Sequence, residues 1–256
     1  MVASPVTIPI RTINLSPGSH LLIEEVSWEQ YESLLKELGE ERCTPRINYS
    51  NGILEFMSPL PAHERPHRII GYIVTAILDA QERDWEDFGS TTFKKLKQAG
   101  LEPDTCFYIK NAERVKSLQR IDLEIDPPPD LAIEADIISS PVEYLHSGEK
   151  KAEGRRQKAE GKEESCKVEG YDNCLGGHDI TSKTTLEADE AIKVPEVWIF
   201  AKNKLKIRVL EQSGYVESSI SPTFPDLDVV EMIPRLVQEA FTLGTSKMLR
   251  SLRQQL

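Results

Sequence analysis

Apolar residues recur at helical or strand spacing along most of the chain. In residues 27–38 the large apolar side chains share one helical face, and Ser27 is suited to cap that helix. Residues 46–57 predict two short strands joined at Asn51-Gly52, which is the commonest signal for a tight hairpin. The first part of the chain therefore predicts a helix followed by a hairpin.

A proline-rich loop over residues 58–66 precedes a core helix with a broad apolar face. Residues 63–67 also fit H-E-x-x-H, the signature of zinc proteases. That motif needs both histidines on one continuous helix, and Pro66 would disrupt the turn between them. The sequence therefore favours a loop-to-helix junction with Pro66 in the first turn.

The rest of the chain adds further strands and helices. The predicted elements are short strands at 87–93, 103–109 and 130–137, a helix at 185–192, a hairpin over 194–210 that turns near Lys202-Asn203, and a terminal helix over 234–256. Strands flanked by helices, with a strand-helix-strand passage around residues 130–137, predict a mixed α/β sheet.

The strand over residues 130–137 separates apolar and acidic side chains by face. One face carries Asp130, Ala132, Glu134 and Asp136, so it is acidic at all of these positions except the alanine. Carboxylates two residues apart on a strand repel each other, and a bound metal ion is the usual reason to tolerate them. The pattern therefore predicts a divalent-metal site.

The charge balance limits the function classes. The chain of 256 residues has 42 acidic and 31 basic residues, which gives a net charge of −11. A protein that binds nucleic acid without specificity relies on neutralising phosphates, so this balance argues against that class. A metal-dependent nuclease is compatible with it, because carboxylates are needed locally and a basic patch can coexist with an acidic remainder.

Cysteine spacing and hydropathy indicate a cytosolic protein. The four cysteines, Cys43, Cys106, Cys166 and Cys174, fall at no C-x-x-C spacing, so we expect reduced thiols rather than a zinc site or a disulfide framework. No apolar run approaches 18 residues, and the N-terminus lacks the pattern of a signal peptide. We expect no association with a membrane.

Residues 138–178 interrupt the pattern. They contain the near-duplicated heptads K-A-E-G-R-R-Q and K-A-E-G-K-E-E and few apolar residues, which predicts a disordered or loosely helical segment. Asp-Ile occurs at both edges, as residues 136–137 and 179–180. Joining residue 137 directly to 181 restores a smooth strand-to-helix passage, so we infer an insertion into an older strand-helix unit.

Several spaced motifs form a combined signature. They are R-I-N-Y-S-N-G-I-L-E-F-M-S-P-L, G-S-T-T, E-P-D-T-C-F-Y-I, P-P-P-D-L-A-I-E-A-D-I, T-S-K-T-T-L-E-A and V-P-E-V-W-I-F. Together they resemble the Uma-two family of restriction endonucleases, over roughly residues 26–137 and 179–235. That family is similar to the PD-(D/E)xK nuclease superfamily, which implies a restriction-endonuclease-like α/β fold and Mg²⁺-dependent hydrolysis of phosphodiester bonds.

The resemblance implies roles for individual residues. Asp104 matches the aspartate of the PD motif, and Glu134 matches the acidic residue of the (D/E)xK motif. Asp136 stands where the superfamily pattern has its lysine. Family members supply that lysine from the following helix, which makes Lys183 the nearest candidate for a third catalytic residue. Asp189 stands where many relatives have a tyrosine.

The expected site binds Mg²⁺, with Mn²⁺ as a substitute, through Asp104 and Glu134. Glu64, near the start of the core helix, is a further candidate metal ligand, and Asp130 or Asp136 could replace one of the ligands. The metal lowers the pKa of a bound water and screens the scissile phosphate, while a lysine stabilises the developing charge or positions the nucleophile.

These features together predict a metal-dependent endonuclease that acts on DNA, with a homodimer left open. The expected domains are an N-terminal extension over residues 1–25, an endonuclease-like domain over 26–235 that is interrupted at 138–178, and a C-terminal helix over 236–256. The alternative is a catalytically inactive relic or interaction protein, in which the insertion displaces the lysine-bearing helix.

Overall fold

The chain folds into two β-sheets with helices packed on their faces. The computed structural model describes residues 13–39, 45–58, 61–89, 91–136 and 183–256, all within one compact unit. The predicted insertion, with its duplicated heptads and two of the cysteines, lies outside the described residues. None of the described helices is both long and apolar enough to cross a membrane.

The described strands and helices alternate along the chain. The strands are β1 (His20–Ile23), β2 (Arg46–Ser50), β3 (Ile53–Met57), β4 (Glu86–Asp87), β5 (Phe93–Lys95), β6 (Ala99–Leu101), β7 (Thr105–Tyr108), β8 (Leu131–Asp136), β9 (Glu196–Ala201), β10 (Lys204–Glu211) and β11 (Gly214–Ser218). The helices are α1 (Trp28–Leu38), α2 (Pro61–Ala80), α3 (Ala112–Val115), α4 (Lys183–Ile192), α5 (Val229–Leu243) and α6 (Thr245–Arg253).

The sheets differ in strand direction. The larger sheet has the order β11-β10-β9-β8-β7-β4, in which β8 and β9 are parallel and the other neighbours are antiparallel. The smaller sheet, with the order β1-β3-β2-β6-β5, is antiparallel throughout. This arrangement confirms the predicted mixed α/β class. Strand β1 lies within the predicted N-terminal extension and pairs with β3.

Three apolar cores hold the layers together. The first packs α2, α5 and α6 against one face of the larger sheet, and the second packs α4 against its other face. The third packs α1 on the smaller sheet. In β2, Ile47 and Tyr49 face α1, so the alternation of the strand turns Arg46 and Asn48 to the opposite face.

The predicted acidic face of β8 is buried rather than open. Leu131 and Ile133 belong to the first core and Ala132 to the second, so the strand is covered on both sides. Leu131 and Ile133 therefore lie on the opposite face from Ala132, as the alternation predicts. Asp130 and Glu134 are both buried, and Ala132 lies between them along the strand.

Three predicted boundaries were wrong. Helix α2 begins at Pro61, so Pro66 lies inside it rather than in the first turn. The strand predicted over 87–93 is split, because among its described residues only Asp87, at the end of β4, and Phe93, at the start of β5, belong to strands. The terminal helix is two helices, since Asp228 caps α5 and Gly244, with a φ of 92°, separates α5 from α6.

Candidate functional site

A buried arginine joins two carboxylates from different elements. Arg46 Nη1 donates to Asp104 Oδ1, and Arg46 Nη2 donates to Glu64 Oε1 at 2.8 Å. Arg46 opens β2, Asp104 immediately precedes β7, and Glu64 lies on α2. One guanidinium therefore holds carboxylates from the larger sheet and from a helix around a common point.

Asp104 is fixed by the neighbouring strand. Its Oδ2 accepts a hydrogen bond of 2.6 Å from the backbone N–H of Ala135 on β8. Its side chain is only 6% exposed, so both oxygens are engaged within the protein. The pairing of Thr105 with Ile133, continued by one residue, places Asp104 opposite Glu134.

Two residues of α2 and Arg46 of β2 contact Glu64. His67 Nε2 lies 3.1 Å from Glu64 Oε2, and Arg68 Nε lies 3.8 Å from the same oxygen. These residues are three and four positions after Glu64, so they share its helical face. Glu64 therefore contacts three groups, including Arg46.

His67 is held in its neutral form. Burial, together with the positive charges of Arg46 and Arg68, lowers the pKa of His67 to about 4 against the opposing effect of Glu64. A neutral imidazole has one N–H, and the contact with Glu64 assigns that proton to Nε2. Nδ1 is then an acceptor, and it has no hydrogen-bond partner among the described residues.

These residues line a cavity of about 310 Å³. Its wall runs along α2 and crosses to the ends of β4 and β7. The lining residues are Arg46, Glu64, His67, Arg68, Gly71, Tyr72, Thr75, Trp85, Asp87, Gly89, Asp104 and Thr105. The volume is at the lower end for small-molecule sites, so the cavity suits a small ligand or one part of a larger one.

Glu134 lies beside Asp104 in the sheet but is absent from the described lining of the cavity. It is buried on the side of β8 that faces the second core. Burial raises the pKa of the Cys106 thiol there, and the charges of Asp87, Glu134 and Asp189 add to that rise. The predicted pair, Asp104 and Glu134, lie opposite each other on neighbouring strands, and Asp104 is the one that lines the cavity.

Asp130 stabilises a turn at the other end of β8. Its Oδ2 accepts hydrogen bonds from the backbone N–H groups of Ile109, Lys110 and Asn111, at 2.8, 2.9 and 3.4 Å. It lies four residues from Glu134, which corresponds to roughly 13 Å along a strand. The structure therefore does not bring Asp130 together with Asp104.

The helix that carries Lys183 is anchored on the smaller sheet. Thr185, in its first turn, accepts a hydrogen bond from Asn48 Nδ2 at 3.0 Å and donates to Glu55 Oε2 at 3.2 Å. Asn48 Oδ1 in turn accepts from the backbone N–H of Glu102 at 2.9 Å. The backbone of Lys183 begins α4, while its side chain and that of Asp136 lie outside the described residues.

Sequence reasoning missed Arg46 and His67 as members of the site. A signal was present in R-I-N-Y-S, where polar Arg46, Asn48 and Ser50 alternate with apolar residues on a strand whose both faces are buried. Buried arginines are rare unless they are paired, so this alternation could have indicated an acidic partner.

The carboxylates suit a divalent cation. Mg²⁺ prefers oxygen ligands and is commonly held by one or two carboxylates together with substrate phosphates. Asp104 and Glu64, which converge on the guanidinium of Arg46, are the residues that would hold such an ion. In the part of the chain that is described, no group of three or more His, Cys, Asp or Glu residues could hold a metal.

The chain is similar to a known protein family and to a solved structure. Residues 28–153 match the model of the Uma2 family, described as putative restriction endonuclease, which confirms the resemblance found in the motifs. No curated protein matches the chain. A crystal structure described as a putative nuclease belonging to DUF820, from Anabaena variabilis ATCC 29413, is 12% identical, with a TM-score of 0.42 over 88% of this chain and 99% of that chain.

Proposed function

The chain carries a domain of the Uma2 family, and we propose that it is a metal-dependent endonuclease that hydrolyses phosphodiester bonds in DNA. The observation that carries the proposal is the cluster in which Arg46 joins Asp104 and Glu64 at the wall of the cavity. It offers a donor for phosphate oxygens and two ligands for a divalent cation within one pocket.

The proposal assigns a different role to each residue of the site. Asp104 and Glu64 would hold Mg²⁺ or Mn²⁺, which supplies a Lewis acid and lowers the pKa of a bound water. Arg46 and Arg68 provide positive charge for the phosphate. Glu134 is placed to support Asp104 from the adjoining strand, and Lys183 keeps the catalytic role that the family resemblance implies.

The outer part of the cavity suits a nucleotide. Tyr72, which is 49% exposed, and the half-buried Trp85 contribute aromatic surface beside the charged residues. The Trp85 ring is held by a hydrogen bond of 2.9 Å from its Nε1 to Asp79 Oδ1. Bases stack on such aromatic side chains with little dependence on sequence, which supports nucleic acid as the substrate.

The anchoring of α4 supports an active enzyme over an inactive relic. The alternative requires the insertion to displace the helix that begins at Lys183. Thr185 is buried and bonded to Asn48 and Glu55, which ties the first turn of that helix to the sheet that carries Arg46. The start of α4 thus lies on the face of the smaller sheet that carries Arg46 and Asn48.

The proposal is tested with supercoiled plasmid, single-stranded DNA and RNA, each incubated with Mg²⁺, Mn²⁺ or EDTA. We expect DNA cleavage with either metal and none with EDTA. Cleavage of no nucleic acid would contradict the proposal. The same assay on a variant lacking residues 138–178 addresses the alternative, because activity that arises only after the deletion would indicate that the insertion silences the site.

A further inference from the structure

We propose that Arg46 couples nucleic-acid binding to metal binding. It pairs with Asp104 and Glu64 until a phosphate of the nucleic acid replaces these carboxylates as its partner. This inference rests on the proposed function. Its basis is that the guanidinium contacts one oxygen of each carboxylate, so it lies between the two groups that would hold the cation.

A metal and the guanidinium compete for the same oxygens. Asp104 Oδ2 is engaged by the backbone of Ala135, so Oδ1, the oxygen that Arg46 contacts, is the one that faces the cavity. Both oxygens of Glu64 are also engaged, because Oε1 accepts from Arg46 and Oε2 accepts from His67. While Arg46 stays in this position, a divalent cation has to replace a charge-assisted hydrogen bond at each carboxylate, of which the one at Asp104 is buried and the one at Glu64 is partly buried.

A phosphodiester offers Arg46 an equivalent partner. Guanidinium groups bind phosphate in a bidentate manner, with the same planar fork that they use for carboxylates. If Arg46 moves to the phosphate, Asp104 loses its positively charged partner, and Glu64 keeps only the exposed Arg68 at 3.8 Å. The repulsion between the two carboxylates favours uptake of a divalent metal, so each ligand strengthens the binding of the other.

Mn²⁺ affinity measured by calorimetry tests this coupling without requiring cleavage. Titrations are made with and without a phosphorothioate oligonucleotide duplex, whose binding is followed separately by fluorescence anisotropy. For the wild-type protein, we expect the oligonucleotide to lower the Kd for Mn²⁺ by roughly tenfold, within the usual range of coupling between sites.

Arg46→Gln should bind Mn²⁺ at least about tenfold more tightly than wild type without any oligonucleotide, and should lose most of the coupling. Arg208→Gln is the control. It removes the same charge from an arginine–carboxylate pair that does not line the cavity, since Arg208 Nη2 lies 3.2 Å from Glu217 Oε2 on the partly exposed surface of the larger sheet. We expect its Mn²⁺ affinity to change less than about threefold, because exposed pairs contribute little.

Arg46→Lys covers the case in which Arg46→Gln fails to fold. It keeps the charge but replaces the two-pronged fork by one ammonium group, so we expect tighter Mn²⁺ binding than wild type and weaker coupling. Equal Mn²⁺ affinity for wild type and both Arg46 variants would overturn the inference, as would unchanged coupling in them. If wild type bound no oligonucleotide, the proposed function would fail, while the titrations without oligonucleotide would still decide the role of Arg46.

Discussion

The charges around Arg46 determine which states the cavity supports. Asp104 and Glu64 bring two negative charges against one guanidinium, and His67 adds none while it stays neutral. The buried part of the cluster therefore carries a net negative charge, which the exposed Arg68, 3.8 Å from Glu64, offsets. The charge of the cluster is sensitive to the protonation of His67.

The buried imidazole predicts a loss of stability in acid. The pKa of His67 is about 4 in the folded chain and 6.5 ordinarily, so below about pH 6.5 the unfolded chain takes up a proton that the folded chain does not. The free energy of unfolding should fall by roughly 3 kcal/mol between pH 6.5 and 4 from this residue alone.

His67→Gln should flatten that part of the pH dependence, measured by urea unfolding at a series of pH values. The slope is the readout, because the substitution also changes packing. An NMR titration of the His67 ring in the wild-type protein provides the direct check. A midpoint near 6.5 would show that burial does not depress the pKa as described.

Asp189 is the second titratable group with a predicted effect on stability. It is fully buried in α4, and neither carboxylate oxygen has a hydrogen-bond partner among the described residues. Burial raises its pKa well above the ordinary value of 3.8. Above about pH 4 the unfolded chain therefore loses a proton that the folded chain keeps, and stability falls as the pH rises.

Asp189→Asn should raise the free energy of unfolding at pH 7 by at least about 1 kcal/mol, because asparagine has no ionisation to suppress. Glu190→Gln, at the next and partly exposed position of the same helix, is the control and should change it little. Urea unfolding at pH 4 and pH 7 measures both. A stability gain that is equal at the two pH values would contradict this explanation.

At the level of elements, the packing of α1 on the smaller sheet requires a glycine at position 100. A Cβ at Gly100 of β6 would lie 1.9 Å from the hydroxyl oxygen of Tyr31, whose ring stacks on Tyr49 at a centroid distance of 4.9 Å. Gly100→Ala should therefore destabilise the protein by about 1–3 kcal/mol or more, because α1 and its tyrosine have to move away from the sheet.

Gly71→Ala is the matched control within α2. There a Cβ would meet nothing closer than 3.9 Å, and alanine favours the helix by up to about 1 kcal/mol. Thermal unfolding of both variants should show a lower midpoint for Gly100→Ala alone. Equal midpoints would mean that Tyr31 does not approach β6 this closely.

Elements set by local chemistry were predicted well from the sequence. Ser27 and Gln30 form the capping box of α1, and Asn51-Gly52 turns the first hairpin with φ values of 50° and 80°. The turn at Lys202-Asn203 follows the same rule, with φ values of 51° and 57°. Strands β4 and β5, of two and three residues, were misplaced because they are too short to show alternation.

At the scale of the molecule, the site could be predicted only in part. Asp104 and Glu134 were predicted because motif and resemblance mark them along the chain, and the structure places them opposite each other on neighbouring strands. The association of Arg46 with Asp104 and Glu64 depends on β2, α2 and the entry to β7 meeting across two sheets. Such contacts between distant segments leave no local signal, although the buried polar side of β2 was a hint.

The central claim is that this meeting point is the active site of a nuclease. Cleavage rates of wild type, Asp104→Asn and the surface variant Asp84→Asn, measured on plasmid DNA in Mg²⁺ and Mn²⁺, test it most directly. Asparagine can still accept the hydrogen bond from Ala135 but removes the charge. We predict that Asp104→Asn cleaves at least roughly 100-fold more slowly, with Asp84→Asn unchanged. Metal-dependent cleavage by Asp104→Asn at the wild-type rate would contradict the account.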